Sequence, residues 1–187
     1  MVLVGLYVVL LAIPLEFIWF LKDYWNPLRY ISVASFLYQE SIFAFLLGGI
    51  VSVIYIVPIK DNSKFKLLNF ILPIAIIALS MLIFTNGLRL NSIYSSQIGY
   101  GITTLMIFDL KPELIKKSLL SGFSMLVISI IGYEIILIIY PHLINDWWLV
   151  KNISGLILFG IPIEEIIWFA LFGLSFGPIY NFWTESL

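Results

Sequence analysis

Residues 67–88 read "LLNFILPIAIIALSMLIFTNGL", an apolar run without one charged side chain. A helix needs about 20 mostly apolar residues to cross a bilayer. Within lipid every backbone N–H and C=O has to be bonded inside the segment, and a helix does that. The run therefore reads as a transmembrane helix, and it has company. Six spans can be placed, at about residues 2–22, 36–59, 67–88, 92–109, 114–140 and 155–183. The expected fold class is all-α: a polytopic membrane helical bundle of about six transmembrane helices. The composition agrees, with 61% hydrophobic and only 11% charged residues, far less charge than a soluble surface needs. The expected organisation is a single integral membrane domain over residues 1–187. The N-terminal run lacks a basic region and a small-residue cleavage site, so it reads as a retained first helix.

The links are short. "KDNSKFK" joins the second and third spans, "DLKPELIKK" the fourth and fifth, and "HLINDWWLVKN" the fifth and sixth. Trp147 and Trp148 read as interfacial anchors. The fourth span is the most polar, and its Ser, Thr and Gly suit close helix packing. Lys60, Lys64, Lys66, Lys111, Lys116 and Lys117 fall on one face of the bundle, and Lys22, Arg29, Arg89 and Lys151 on the other. That bias places both termini in the cytoplasm and the protein in the cell membrane as a multi-pass chain. The net charge of −1 and the absence of any basic patch give no sign of nucleic acid. With no cysteine, thiol catalysis, disulfides and thiolate metal sites are excluded.

The segment "ESIFAFLLGGIVSVIY" at 40–55 lies over "EIIWFALFGLSFGPIY" at 165–180. Glu40 falls on Glu165, Gly48 on Gly173, Tyr55 on Tyr180, and Phe43 on Trp168. The two segments are four spans apart, in the second and the sixth, so they run in the same direction. A parallel internal repeat is expected, with units at about 1–60 and 114–187.

Glu16, Glu40, Glu134, Glu164 and Glu165 stand inside apolar spans, while all the basic residues lie at span edges or beyond. An ionised carboxylate in hydrocarbon costs roughly 2.5–3.5 kcal/mol or more, and holding a proton avoids that cost. Two carboxyl groups in one pocket, one protonated and one not, form an acid–base pair. On a helix, residues three or four apart share a face. Glu165 thus shares one with Trp168, Phe169 and, a turn further, Phe172, and Glu40 shares one with Phe43. Aromatic faces stabilise a cation by about 0.5–2 kcal/mol or more when desolvated. An apolar cavity with a protonated Glu and aromatic walls can protonate an alkene and shelter the carbocation. That is the chemistry of protonation-initiated isoprenoid cyclisation.

The stretch "GIPIEEIIW", with Pro162, Glu164, Glu165 and Trp168, resembles the P-x-E-E signature of the lycopene cyclase domain, an integral membrane family. "ESIFAFLLGG" resembles its first-repeat counterpart, with Leu37 and Gln39 in place of the Pro and the first acid. Gly177, Pro178 and Tyr180 resemble the "GP-x-Y" ending of short single-chain relatives. The resemblance implies cyclisation of a linear polyene end to a ring with no net redox change. The expected catalytic residues are Glu165, Glu164 and Glu40, with either member of the adjacent pair as the acid. The expected substrate-binding residues are Trp168, Phe172, Phe43, Glu134, Glu16 and Tyr180. No cofactor and no metal are expected. The expected partners are membrane lipid and a hydrophobic isoprenoid or carotenoid, and a homo- or heterodimer stays open.

Two other readings compete: a membrane protein that binds an isoprenoid without turnover, and a proton-coupled transporter using the same acids. A CAAX-type protease is rejected, because Phe169 stands where its motif has Arg and His142 is the sole histidine. Glu165→Gln is expected to lower turnover by at least about 10²–10⁴-fold and to leave folding and ligand retention nearly intact.

Overall fold

The computed structural model describes residues 1–27, 31–54 and 64–184. Arg29, Tyr55, Lys60, Asp61 and Glu185 lie outside the described residues. Six long helices account for most of the chain: α1 Val2–Asp23, α2 Val33–Val53, α3 Leu67–Gly87, α4 Ser92–Leu110, α5 Pro112–Ile139 and, after a short α6 Leu143–Trp147, α7 Ile163–Thr184. Among the described residues, five of them (α1, α2, α3, α5 and α7) are long and apolar enough to cross a membrane. The expected fourth span, α4, has 19 residues but carries too many polar groups to count with them.

The sixth predicted span is corrected at its start. Its helix begins at Ile163, and the residues before it form an antiparallel hairpin, β1 Ile157–Leu158 and β2 Ile161–Pro162. Its two-residue loop, Phe159–Gly160, has φ of 54° and 72°, as a type I′ turn requires.

Local chemistry sets the helix ends. The Asn91 side chain caps α4 by accepting from the Ile93 N–H at 3.0 Å. The Asp23 carboxylate accepts from the Ser92 N–H at 2.9 Å and from the Ser92 hydroxyl at 2.5 Å. A carboxylate at a helix N-terminus is favourable, so α4 is tied to the end of α1. Within α1, residues Glu16–Phe20 form a π-helical turn shortly after Pro14. A second π-helical turn, Met81–Gly87, closes α3, and the Trp19 indole N–H links the two by donating to the Asn86 amide oxygen at 2.8 Å. Such turns recur at functional sites.

Two helix pairs carry the closest backbone approaches. In α1–α2 a Cβ on Gly48 would stand 2.8 Å from the Val4 carbonyl oxygen and 3.0 Å from the Gly5 Cα. In α5–α7 a Cβ on Gly173 would stand 2.6 Å from the Ser121 carbonyl oxygen and 2.8 Å from the Gly122 Cα. Only glycine allows either crossing. The matched Gly48 and Gly173 thus serve the same purpose in their two pairs.

Between the pairs runs α4, polar where it meets its neighbours. Ser92, Ser95, Ser96, Thr103 and Thr104 are buried. The Ser80 hydroxyl of α3 donates to the Ser95 carbonyl at 2.7 Å, and the Ser175 hydroxyl of α7 to the Tyr100 carbonyl at 2.9 Å. The end of α7 returns beside the start of α1, where the Trp183 and Tyr7 rings stand 4.6 Å apart.

Candidate functional site

At the opposite end of the bundle from Trp183, two irregular segments run side by side. The Leu149 N–H donates to the Tyr24 carbonyl and the Asn26 N–H to the Trp147 carbonyl, each at 2.8 Å. This short antiparallel contact sets Tyr24 and Trp148 over the first turn of α7. There the Tyr24 hydroxyl donates to Glu165 Oε1, the Trp148 indole N–H donates to the same oxygen at 3.0 Å, and the Tyr133 hydroxyl donates to Oε2 at 2.8 Å. A carboxylate offers about four lone-pair sites, so three donors leave roughly one open. The next residue along, Trp25, serves a different acid: its indole N–H donates to Glu16 Oε2 at 2.7 Å.

Glu165, Glu16 and Glu40 all line one cavity of about 600 Å³ between the α1–α2 pair and the α5–α7 pair. Its remaining wall is largely apolar, with Phe43, Trp168 and Phe169 among the rings. Glu40 is buried and accepts no hydrogen bond from any described residue. Glu16, Phe20, Glu40, Phe43, Leu47 and Trp168 also border a second, smaller pocket of about 50 Å³. That pocket lies deeper in the bundle, floored by Leu11 and Ala12 of α1, Ala44 of α2, Tyr100 of α4 and Phe172 of α7.

Trp168, Phe172 and Phe176 form a stacked column on α7, with ring centres 5.4 and 4.6 Å apart and planes within 15°. Tyr100 meets the column edge-on. The Trp168 indole N–H is buried without a partner among the described residues.

The expected site residues divide. Glu165, Glu40, Glu16, Trp168, Phe43 and Phe172 come together on the two cavities. Glu164 does not join them. Its Oε1 accepts from the Tyr94 hydroxyl at 2.7 Å and the Ser154 N–H at 3.0 Å, while its carbonyl accepts from the Gln97 amide at 2.9 Å. The adjacent acids thus point about 100° apart, as a helix requires, and only Glu165 faces the chamber. Glu134 is exposed and lines neither cavity. Tyr180 is half-buried at the far end of α7, where its ring meets Trp183.

Tyr24, Tyr133 and Trp148, the three donors to Glu165, were not foreseen. One signal for Tyr133 exists: it stands eleven residues after Gly122, as Glu16 stands eleven after Gly5. Tyr24 and Trp148 belong to irregular segments with no periodicity to betray them.

Among the described residues no group of three or more His, Cys, Asp and Glu side chains is placed to hold a metal ion. The arrangement offers instead carboxyl groups of unequal surroundings on a largely apolar, ring-lined chamber.

Neither a curated protein nor a solved structure matches the chain. Residues 91–183, from the cap of α4 to the end of α7, match the family model for lycopene cyclase. The match takes in Tyr133, Trp148, Glu164 and Glu165 and leaves Glu16 and Glu40 outside it. The chain is a membrane protein by its apolar helices, and by that match it belongs to the lycopene cyclase family, a family of carotenoid cyclases.

Proposed function

We propose that the protein closes the linear end of a lycopene-type polyene into a ring by protonation. The observation that carries this reading is the convergence of Glu16, Glu40 and Glu165 on one apolar, ring-lined chamber. In the proposed reaction a carboxyl group adds its proton to the terminal double bond, which leaves a tertiary carbocation. The neighbouring double bond attacks that carbon, closes a six-membered ring and moves the positive charge into it. Loss of a ring proton to a carboxylate restores a double bond. One proton enters and one leaves, so product and substrate are isomers.

The hydrogen bonds favour a division of labour. Glu165 is equipped to be the carboxylate: three donors fix its position, and its remaining lone pair can take the departing proton. Glu40 has no donor among the described residues to support a charge, and a bare ion in an apolar wall is costly. Glu40 is therefore the proposed proton donor. Glu164, turned toward Tyr94 and Ser154, is a positioning residue that holds the first turn of α7 in place. The rings of Trp168 and Phe43 face the developing cation. Trp168, Phe43 and Phe172 also form the proposed contact surface for the polyene. The proposed setting is the cell membrane, with both termini in the cytoplasm. The acids would then lie toward the far face.

Incubating the purified protein in lipid nanodiscs with lycopene, with EDTA and without added flavin or nicotinamide, tests this reading. Cyclised products of unchanged mass are expected by chromatography and mass spectrometry. Lycopene retained but recovered linear would make the protein a binder. Lycopene neither retained nor converted would defeat both readings.

A further inference from the structure

The chamber has a blind side and an open side. Its blind side is the small pocket beyond Glu16 and Glu40, enclosed by α1, α2, α4 and α7. Its open side lies between α2 and α5. There the lining residues Phe43, Leu46 and Ile50 of α2 are 49%, 53% and 42% exposed, and Ile128 and Ile136 of α5 are 41% and 46% exposed. Both helices are membrane spans, so this exposure is toward lipid chains. Between Ile128 and Ile136 on the same wall stands Gly132, and a Cβ built there would meet nothing within 4 Å. The missing side chain leaves a slot that connects the acids with the bilayer.

We propose that the polyene occupies this path end-first: its branched end sits beside Glu16 and Glu40, and its unreacted chain leaves over Gly132, between α2 and α5, into the membrane. Gly132 is then a specificity-determining residue for a long chain. The proposal rests on the reading of the chamber as a polyene site. Its occupant follows from the chemistry of the slot. The slot is continuous with the three carboxyl groups and is largely apolar. A polyene much longer than the chamber has to leave it somewhere, and the bilayer is where such a molecule dissolves.

The test is a graded series at Gly132, in nanodiscs, read two ways. One is lycopene retained per mole of protein, from its visible absorption after extraction. The other is conversion. Gly132→Ala adds only a methyl group into open space and removes a helix-weakening glycine, so it should lower both readouts less than the larger variants do. Gly132→Leu and Gly132→Phe should each lower retention by about tenfold or more, with conversion falling in parallel and thermal stability undiminished. Loss of stability in Gly132→Phe shifts the test to Gly132→Leu, since leucine is a strong helix former. If both large variants retain and convert lycopene like the parent, the slot is not the path and the proposal is overturned. A parent protein that retains lycopene without converting it would remove the cyclase reading alone. The retention series would still decide the path.

Discussion

In the α1–α2 pair Gly48 lies against Gly5, and in the α5–α7 pair Gly173 lies against Gly122. The first pair delivers Glu16 and Glu40 to the shared chamber, and the second delivers Glu165. The surroundings of Glu40 and Glu165 differ sharply. Glu165 is held by Tyr24, Tyr133 and Trp148, whereas Glu40 has no donor among the described residues. Where the first pair places Glu16, the second places Tyr133, one of those donors. Two similar scaffolds thus present unlike carboxyl groups, and acid–base chemistry needs that inequality. A symmetric site would offer two acids or two bases. The family match covers the clamped acid and not the bare one, so the proposed proton donor comes from the half that the match does not reach.

The largest expected effect breaks the comparison at its bare end. Glu40→Gln keeps size and polarity but has no acidic proton. Turnover should fall by about 10²–10⁴-fold, the usual contribution of a general acid, while lycopene retention persists. Conversion at the parent rate would remove Glu40 from the chemistry.

The second prediction reverses the expectation that Glu165→Gln leaves folding intact. An amide nitrogen cannot accept hydrogen bonds, so at least one of the three donors loses its partner. A buried unsatisfied donor costs about 1–3 kcal/mol, and the melting temperature should drop accordingly. Glu40→Gln strands no donor and should melt with the parent. Equal melting temperatures would mean that the clamp on Glu165 adds no stability.

The scaffold can be tested by the same pairing. Gly48→Ala and Gly173→Ala each push a methyl group against backbone atoms under 3 Å away. Overpacking of this kind costs about 1–3 kcal/mol, and both variants should lose stability by denaturant or thermal unfolding. If only one crossing is sensitive, the two pairs are not equivalent supports.

The smallest effect belongs to a single donor. Tyr133→Phe removes one hydrogen bond to Glu165 and should cost about 1 kcal/mol of stability, with turnover falling by about tenfold or less. A loss as large as that of Glu40→Gln would instead place the Tyr133 hydroxyl in the proton transfer.

Long apolar runs made the helices legible, because few residues can interrupt a span without showing it. The hairpin at 157–162 was not legible: "GLILFGIP" is as greasy as the helix that follows, and only Gly160 and Pro162 hinted at a turn. For the site, Glu40 and Glu165 stood out as acids in apolar context matched by an internal echo. Composition alone could not separate Glu165 from Glu164, because neighbours on a helix point in different directions, and the contacts of Ser154 and Tyr94 decide which one faces away. Glu134 misled for the same reason: one residue earlier, Tyr133 faces the chamber. The donors Tyr24 and Trp148 reach Glu165 only through the pairing of two irregular segments, which leaves no periodic trace.

The polarity of α4 bears on how the chain enters the membrane during synthesis. Two of its hydroxyl groups are matched to partners on α3 and α7: Ser95 with Thr85 at 2.8 Å and Thr104 with Ser175 at 2.9 Å. Alone in lipid those groups would be unsatisfied, and α7 is translated after α4. The insertion machinery therefore has to admit α3 and α4 together as a hairpin, with the very apolar α3 carrying its companion across. It then has to shelter the side of α4 that meets α7 until α7 has been translated. An α3 made more polar should strand α4 outside the bilayer and invert every segment that follows.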